Sequence, residues 1–270
     1  LLSIIENEIK KPNGTLLTTG PTGSGKTTTL YAFLKKVHNP EVKIITIEDP
    51  IEYHLQGIVQ TQVNDKGYTF LEGLRSALRQ DPDIIMVGEI RDSETASIAI
   101  NSSLTGHLVF STLHTNSAAG SFPRLIDLGI NPKIMSSAIN IALAQRLLRK
   151  LCQYCKKEII AEGEIKKKID EVLNTIVDKT EIPTNTEKIY TAIGCTKCNN
   201  TGYKGRIGIY EGIKLNPNIN EAISNNSSED EIAKVAISEG ILTMTQDGII
   251  KILNGITTIE ELERVISIEE

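Results

Sequence analysis

The segment Gly20-Pro21-Thr22-Gly23-Ser24-Gly25-Lys26-Thr27 constrains this chain more than any other stretch. It fits G-x-x-x-x-G-K-[ST], with an aliphatic run over 15–19 before it and a helix-forming run over 27–37 after it. Glycines let such a loop close into a concave ring of backbone N–H donors, and the helix behind it adds its positive end. The loop predicts a bound phosphate chain, with Lys26 reaching the β- and γ-phosphates, the Thr27 hydroxyl on Mg²⁺ and Thr28 in the same set. A Gly-rich turn without ligand is the plain alternative. The agreement of strand, loop, Lys-Thr pair and helix argues against it.

The loop opens a region that alternates short apolar runs with helical patterns, as in a parallel sheet flanked by helices. Strands are expected at 15–19, 43–47, 84–87 and 108–112, and helices at 27–37, 70–79 and 93–104, the last capped by Ser93. A helical stretch over 116–128 is expected to kink or lose a hydrogen bond at Pro123. Two of the strands end in acids: Glu48 and Glu52 follow one, and Glu89 follows the other. In a parallel α/β sheet both groups reach the edge where ligands bind. Glu48, Glu52 or Glu89 is expected to position or deprotonate a water there. Gly88 stands where many such strands carry Asp, so Mg²⁺ would rest mostly on Thr27, phosphate and water. Arg75, Arg79, Arg91 and Arg124 are candidates for charge at a γ-phosphate, with surface ion pairing as the alternative. His107 and His114 flank the run over 108–112 as phosphate sensors or as structural hydrogen-bonded histidines.

After about residue 151 the composition turns Lys- and Glu-rich. Ile165, Ile169, Val172, Leu173 and Ile176 recur at helical spacing there. Further on, Ser228-x-x-Glu231 and Thr258-x-x-Glu261 read as capping boxes, and Gly240 and Gly255 as helix stops. The four cysteines form two C-x-x-C pairs, Cys152/Cys155 and Cys195/Cys198, 39 residues apart. Four thiolates in two knuckles predict a closed, structural Zn²⁺ site, with free thiols or a lost site as the alternatives.

The net charge is −5, which excludes a generally basic nucleic-acid surface, and no run approaches the roughly 18–20 apolar residues of a membrane span. The chain opens without Met on Leu1-Leu2-Ser3-Ile4-Ile5, which reads as the middle of a helix and suggests a fragment of a longer protein.

Several runs together carry a resemblance. They are the phosphate loop, the acidic run Ile47-Glu48-Asp49-Pro50-Ile51-Glu52, and Leu74-Arg75-Ser76-Ala77-Leu78-Arg79-Gln80-Asp81-Pro82-Asp83. Then come Val87-Gly88-Glu89-Ile90-Arg91-Asp92, Thr105-Gly106-His107 continuing to His114-Thr115-Asn116, Gln145-Arg146-Leu147, the cysteine pairs and Thr201-Gly202-Tyr203-Lys204-Gly205-Arg206. With these the chain resembles the secretion and type IV pilus-assembly ATPases, a family of bacterial hexameric motors. The resemblance covers nearly the whole chain. It implies an α/β fold: a RecA-like core with a central, mainly parallel sheet over 1–150, a tetracysteine zinc-binding insert over 151–205 and a small helical subdomain over 206–270. The family's N-terminal domain would be absent. It further implies ATP, Mg²⁺ and structural Zn²⁺; Glu48 and Glu89 as functional acids; His114 near the phosphate; and Arg75, Arg79, Arg91 and Arg124 around the nucleotide. A cytoplasmic homohexamer peripheral to the inner membrane, with a platform protein and an adaptor as partners, would power pilus or pseudopilus assembly. Retraction motors are similar in the core but lack the cysteine knuckle. A nucleic-acid translocase on the same core is the main rival, and the scarcity of aromatics (4%, no Trp) speaks against its stacking platforms. A ring that binds ATP without turnover is a third reading, disfavoured by Lys26, Thr27 and Glu89.

Overall fold

The runs read as strands are aliphatic or β-branched at most positions, as suits strands covered by helices on both faces. A computed structural model describes residues 1–64 and 66–268. In chain order its elements are α1 (Leu2–Glu8), β1 (Gly14–Thr19), α2 (Lys26–Val37), β2 (Ile44–Glu48), β3 (Val59–Gln62), α3 (Phe70–Leu78), β4 (Ile84–Val87), α4 (Ser93–Leu104), β5 (Leu108–Leu113), α5 (Ser121–Asp127) and α6 (Pro132–Ala138). There follow β6 (Ile139–Leu151), β7 (Lys157–Ile160), α7 (Gly163–Thr175), β8 (Lys188–Thr191), β9 (Tyr203–Lys214), α8 (Pro217–Ser224), α9 (Glu229–Ser238), α10 (Met244–Leu253) and α11 (Ile259–Glu263). They form two compact units, each built from two stretches of chain.

The first unit comprises Leu1–Ala144 and Gly212–Val235. Its sheet runs β3-β2-β4-β5-β1-β6, with β9 next in the order. The pairs β2/β3, β2/β4, β4/β5, β1/β5 and β1/β6 are parallel. Every residue of β1, β2, β4 and β5 is buried. Helices α2 and α4 pack on β1 and β5, and α3 packs on β2 and β4. Parallel strands all end at one edge, so the residues just after β1, β2, β4 and β5 are brought together by topology alone.

Two expectations, the cap of α4 and the kink at Pro123, are corrected within this unit, and of the two readings of His107 the structural one fits. The cap of α4 is Asp92, whose carboxylate accepts from the Thr95 amide at 2.8 Å; Ser93 is already inside the helix. The helix expected over 116–128 begins only at Ser121. Pro123 therefore lies in the first turn, where a missing N–H removes no helical bond, and no kink is needed. His107 lies before β5, at the edge opposite the phosphate loop. There its Nδ1 and backbone N–H both face the Ser102 carbonyl, at 3.1 Å each, so its place is structural.

The second unit comprises Gln145–Glu211 and the chain from Ala236 on. Strands β7 and β8 form an antiparallel ribbon with Ile159 opposite Ile189. Helix α7 buries Ile169 and Leu173, and Ile176 is buried just past its end. Helix α10 packs on α7 and β8, and the Gln246 amide donates to the Thr175 hydroxyl at 2.9 Å. Gly240 and Gly255 take φ of +82° and +64°, the left-handed stops expected of them. The Ser228/Glu231 capping box in the first unit is reciprocal: the Ser228 amide donates to Glu231 at 2.8 Å and the Glu231 amide to Ser228 at 3.3 Å. The second expected box is only half made. Thr258 accepts from the Glu261 amide, but the Glu261 carboxylate is taken by Arg149 and Arg264.

Candidate nucleotide site and cysteine cluster

Between β1 and α2, Gly20, Gly23 and Gly25 take φ of +144°, +80° and +92°, conformations that residues with a Cβ resist. Gly25 starts α2; no side chain caps this end and no acid lies in its first turn. Its first amides therefore point into the loop without a competing carboxylate, as an anion site requires. The Lys26 ammonium folds over the loop, donating to the carbonyls of Gly20 at 2.7 Å and Pro21 at 3.2 Å. This donor set, with the Thr27 hydroxyl in the first helical turn, suits a phosphate chain and its cation.

Hydroxyls tie the neighbouring strand ends to the root of this loop. The Thr19 hydroxyl lies 3.1 Å from the Leu113 carbonyl and 2.7 Å from the Thr115 hydroxyl, and it accepts from the Thr115 amide at 2.8 Å. Thr112 donates to the Gly88 carbonyl at 2.8 Å, and the Ile90 amide donates to the Thr112 carbonyl at 3.0 Å. These bonds fix the segments that carry His114 and Glu89. Gly88 is explained by space: a Cβ there would lie 3.2 Å from the Ile47 carbonyl oxygen and from the Phe70 ring.

Glu89 follows β4 and is the centre of a charged group. His114 Nε2 lies 3.0 Å from its Oε2, and Arg91 is ion-paired with its Oε1. Arg91 also lies 3.8 Å from Asp49 and 5.9 Å from the Phe70 ring centre. Burial of Glu89 disfavours its charge, but Arg91 and then His114 outweigh burial and hold its carboxyl below the usual range. Beside this group lies an open groove of about 500 Å³ lined by Asp49, Gln62, Tyr68, Phe70 and Arg91 among others.

The other candidates are dispersed. Glu52 is exposed after β2, whereas Glu48 is 1% exposed and held by Tyr31, Thr46 and Gln60. Arg75 is ion-paired with Glu94 at 2.5 Å, on the surface where α3 meets α4. Arg79 is exposed beyond the C-terminal end of α3, next to Gln80, whose carbonyl holds the Lys43 ammonium at the start of β2. That is the edge away from the loop. Arg124 is exposed on α5. Sequence reasoning missed the Thr19–Thr115 bonds, Tyr31 and Gln60, and Glu229, which accepts from the Ser117 hydroxyl at 2.5 Å. Position next to the phosphate loop was the one signal for Thr19; partners distant in sequence left none for the rest.

In the second unit Cys152, Cys155, Cys195 and Cys198 converge, with all four sulfurs within 4.8 Å of one another. Three sulfur pairs are separated by 3.8–3.9 Å. A tetrahedron with metal–sulfur bonds of about 2.3 Å has edges of about 3.8 Å, so the cluster has the size of a Cys₄ metal site. Amides of Cys195 and Gly202 donate to Cys198 Sγ at 3.2 and 3.3 Å, as bonds that favour a thiolate would. The turn that allows this is tight: a Cβ on Gly194 would lie 2.7 Å from the Asn200 carbonyl oxygen.

A parallel α/β sheet with a phosphate loop after one strand and an acid after another, one strand between them, defines a P-loop nucleotide-binding protein. Within that class, residues 2–264 match the family model described as Type II/IV secretion system protein, and the chain belongs to this family. Type II secretion system protein E of Pseudomonas aeruginosa is 50% identical over 263 residues, covering 97% of this chain and 50% of that protein. Type IV pilus assembly ATPase PilB of the same organism is 46% identical over 258 residues, covering 95% of this chain and 44% of that protein. The chain thus spans about half the length of these relatives. The crystal structure of the pilus retraction motor PilT with bound ADP is similar over 96% of this chain and 63% of that one, with a TM-score of 0.69 and 28% identity.

Proposed function

We propose that the chain is the motor portion of an ATPase that powers assembly of a type IV pilus or a type II secretion pseudopilus. The observation that carries this is the placement of Glu89 and Arg91 just after β4, with Glu89 against His114 at the end of β5, the strand end tied to the root of the phosphate loop. Lys26 and the loop amides would hold ATP, and the Thr27 hydroxyl would hold Mg²⁺, which supplies charge neutralisation at the phosphates. Glu89 and the exposed Glu52 are the acids available to a water; Arg91, paired with Glu89, is the cation beside them, and Arg124 on α5 is a second candidate for a γ-phosphate. The relatives, a type II secretion system protein E and a type IV pilus assembly ATPase, support the assembly direction.

The Cys₄ cluster would hold one structural Zn²⁺ through Cys152, Cys155, Cys195 and Cys198. It favours assembly over retraction, since retraction motors resemble this chain in the core without the knuckle. In the full-length protein we expect a homohexamer in the cytoplasm, docked on an inner-membrane platform protein through an adaptor. Among the described residues no helix is long and apolar enough to cross a membrane, which fits docking on a partner. The deciding experiment is phosphate release by the full-length hexamer. Lys26→Ala is expected to remove it, and turnover equal to the parent would end the ATPase reading.

A further inference from the structure

Glu48 and Tyr31 are both buried, at 1% and 0% exposure, and they meet in a network between α2 and the segment after β2. The Tyr31 hydroxyl donates to Glu48 Oε2. Glu48 Oε1 accepts from the Thr46 hydroxyl at 2.5 Å and from the Gln60 amide at 3.0 Å. Gln60 Oε1 in turn accepts from the Leu55 amide at 2.6 Å, and its Nε2 also donates to the Tyr53 carbonyl at 3.3 Å. The same stretch lies along α2. Tyr53 meets Tyr31 edge-on at 4.7 Å, Lys35 lies 4.9 Å over the Tyr53 ring, and His38 Nε2 lies 3.2 Å from the Gly57 carbonyl oxygen.

Among the described residues no cation pairs with Glu48; its partners are neutral donors. Such a carboxylate is costly to bury, and an apolar residue would serve stability as well. What a carboxylate does, and a glutamine does not, is accept from all these donors at once with no N–H of its own to place. Burial, and then Glu48 itself, also raise the Tyr31 phenol well above its usual range, so it stays a donor. Tyr31 lies about 9 Å along α2 from Gly25, at 1.5 Å per residue.

We propose that Glu48 and Tyr31 are positioning residues that hold the 49–57 segment, with Asp49 and Glu52, in fixed relation to the helix that begins at the phosphate loop. Glu48 is 1% exposed and both its oxygens accept from this chain, so its placement favours an indirect role over contact with substrate. It acts through the segment that follows it. The kinetic part of this rests on the ATPase reading above; the structural part does not.

The test uses the full-length protein with Tyr31→Phe, which keeps the ring, and Glu48→Gln. Backbone amide exchange within 51–58 is expected to quicken by about tenfold in both, with β4 and β5 unchanged. With ATP, kcat is expected to fall about tenfold while KM stays within about twofold, because positioning acts on the transition state and not on uniform binding. Lys26→Ala, run alongside, should lose turnover with the 51–58 exchange unaltered. Unchanged exchange in Tyr31→Phe overturns the proposal. So does a Glu48→Gln variant that loses turnover with normal exchange, since that marks direct chemistry at Glu48. Turnover indifferent to Lys26→Ala removes the ATPase reading alone and leaves the exchange result to decide this one.

Discussion

Glu89 is held ionised by its neighbours. Removing its charge without its shape should separate binding from turnover. We predict that Glu89→Gln in the full-length protein binds ATP with near-parental affinity but releases phosphate at least about 100-fold more slowly, the range for loss of a general base. Stopped-flow phosphate release checks this, and a rate near the parent's would remove Glu89 from the chemistry. At this scale the sequence was readable where a residue's placement follows from its immediate neighbours. Lys26 and Thr27 belong to a contiguous motif, and Glu89 ends an apolar strand. It was unreadable where the role depends on partners far along the chain. Nothing near Glu48 announces Tyr31 or Gln60, 17 and 12 residues away. Hence two acids that look alike on paper, Glu48 and Glu89, occupy different surroundings.

Among the elements, α11 shows how one carboxylate fastens a helix. The Glu261 side chain has no solvent exposure and accepts from Arg149 at 2.7 and 2.9 Å, from Arg264 at 2.7 and 2.9 Å, and from the Arg149 amide at 2.8 Å. Burial alone would raise its pKa; the hydrogen bonds from Arg264 and Arg149 overcome that and bring it from 4.5 to about 2. A pKa lowered by folding adds stability that is complete above the unfolded value and lost as pH falls through the folded one. This contribution should fade between about pH 4.5 and pH 2. Glu261→Gln is predicted to lower stability at pH 7 by about 1–3 kcal/mol, with the half-exposed arginines limiting the loss. The difference from the parent should shrink toward pH 2. Denaturation midpoints across that range check it, and a pH-independent difference would falsify the ionic account. The α/β alternation was legible because strands buried on both faces leave short runs rich in aliphatic and β-branched residues. Strands β6 and β9 were not. In β6, Arg146, Arg149 and Lys150 interrupt the apolar pattern without a turn signal, and α6 leads straight into it. In β9, Gly205, Gly208 and Gly212 depress strand character.

For the molecule as a whole, the cysteine cluster offers a test that is independent of nucleotide. Gently purified protein should carry about one zinc per chain by elemental analysis, and Cys155→Ser should lose most of it. A parent value near zero would refute the site. Chelation should quicken amide exchange around 152–160 and 188–202, where the knuckles and the β7/β8 ribbon meet in sequence, because binding energy at a structural metal is folding energy. The spacing of the cysteines made this cluster legible. The division of the chain into units was harder to read, because neither unit is a continuous stretch.

That division has a consequence for how the protein is made. The chain passes between units at 144/145 and 211/212, inside strands β6 and β9, and again at 235/236, inside α9. Helix α8, which packs on α6, and Glu229, which accepts from Ser117, both belong to the first unit yet are encoded after most of the second. Synthesis runs from the N-terminus, so domains usually finish in order. Here the nucleotide-binding unit waits, without its last helices, until residue 235 has emerged. A ribosome-stalled chain exposed only as far as 144 should be captured by chaperones or cut by protease in the sheet region, and one with residue 235 clear of the ribosome should resist.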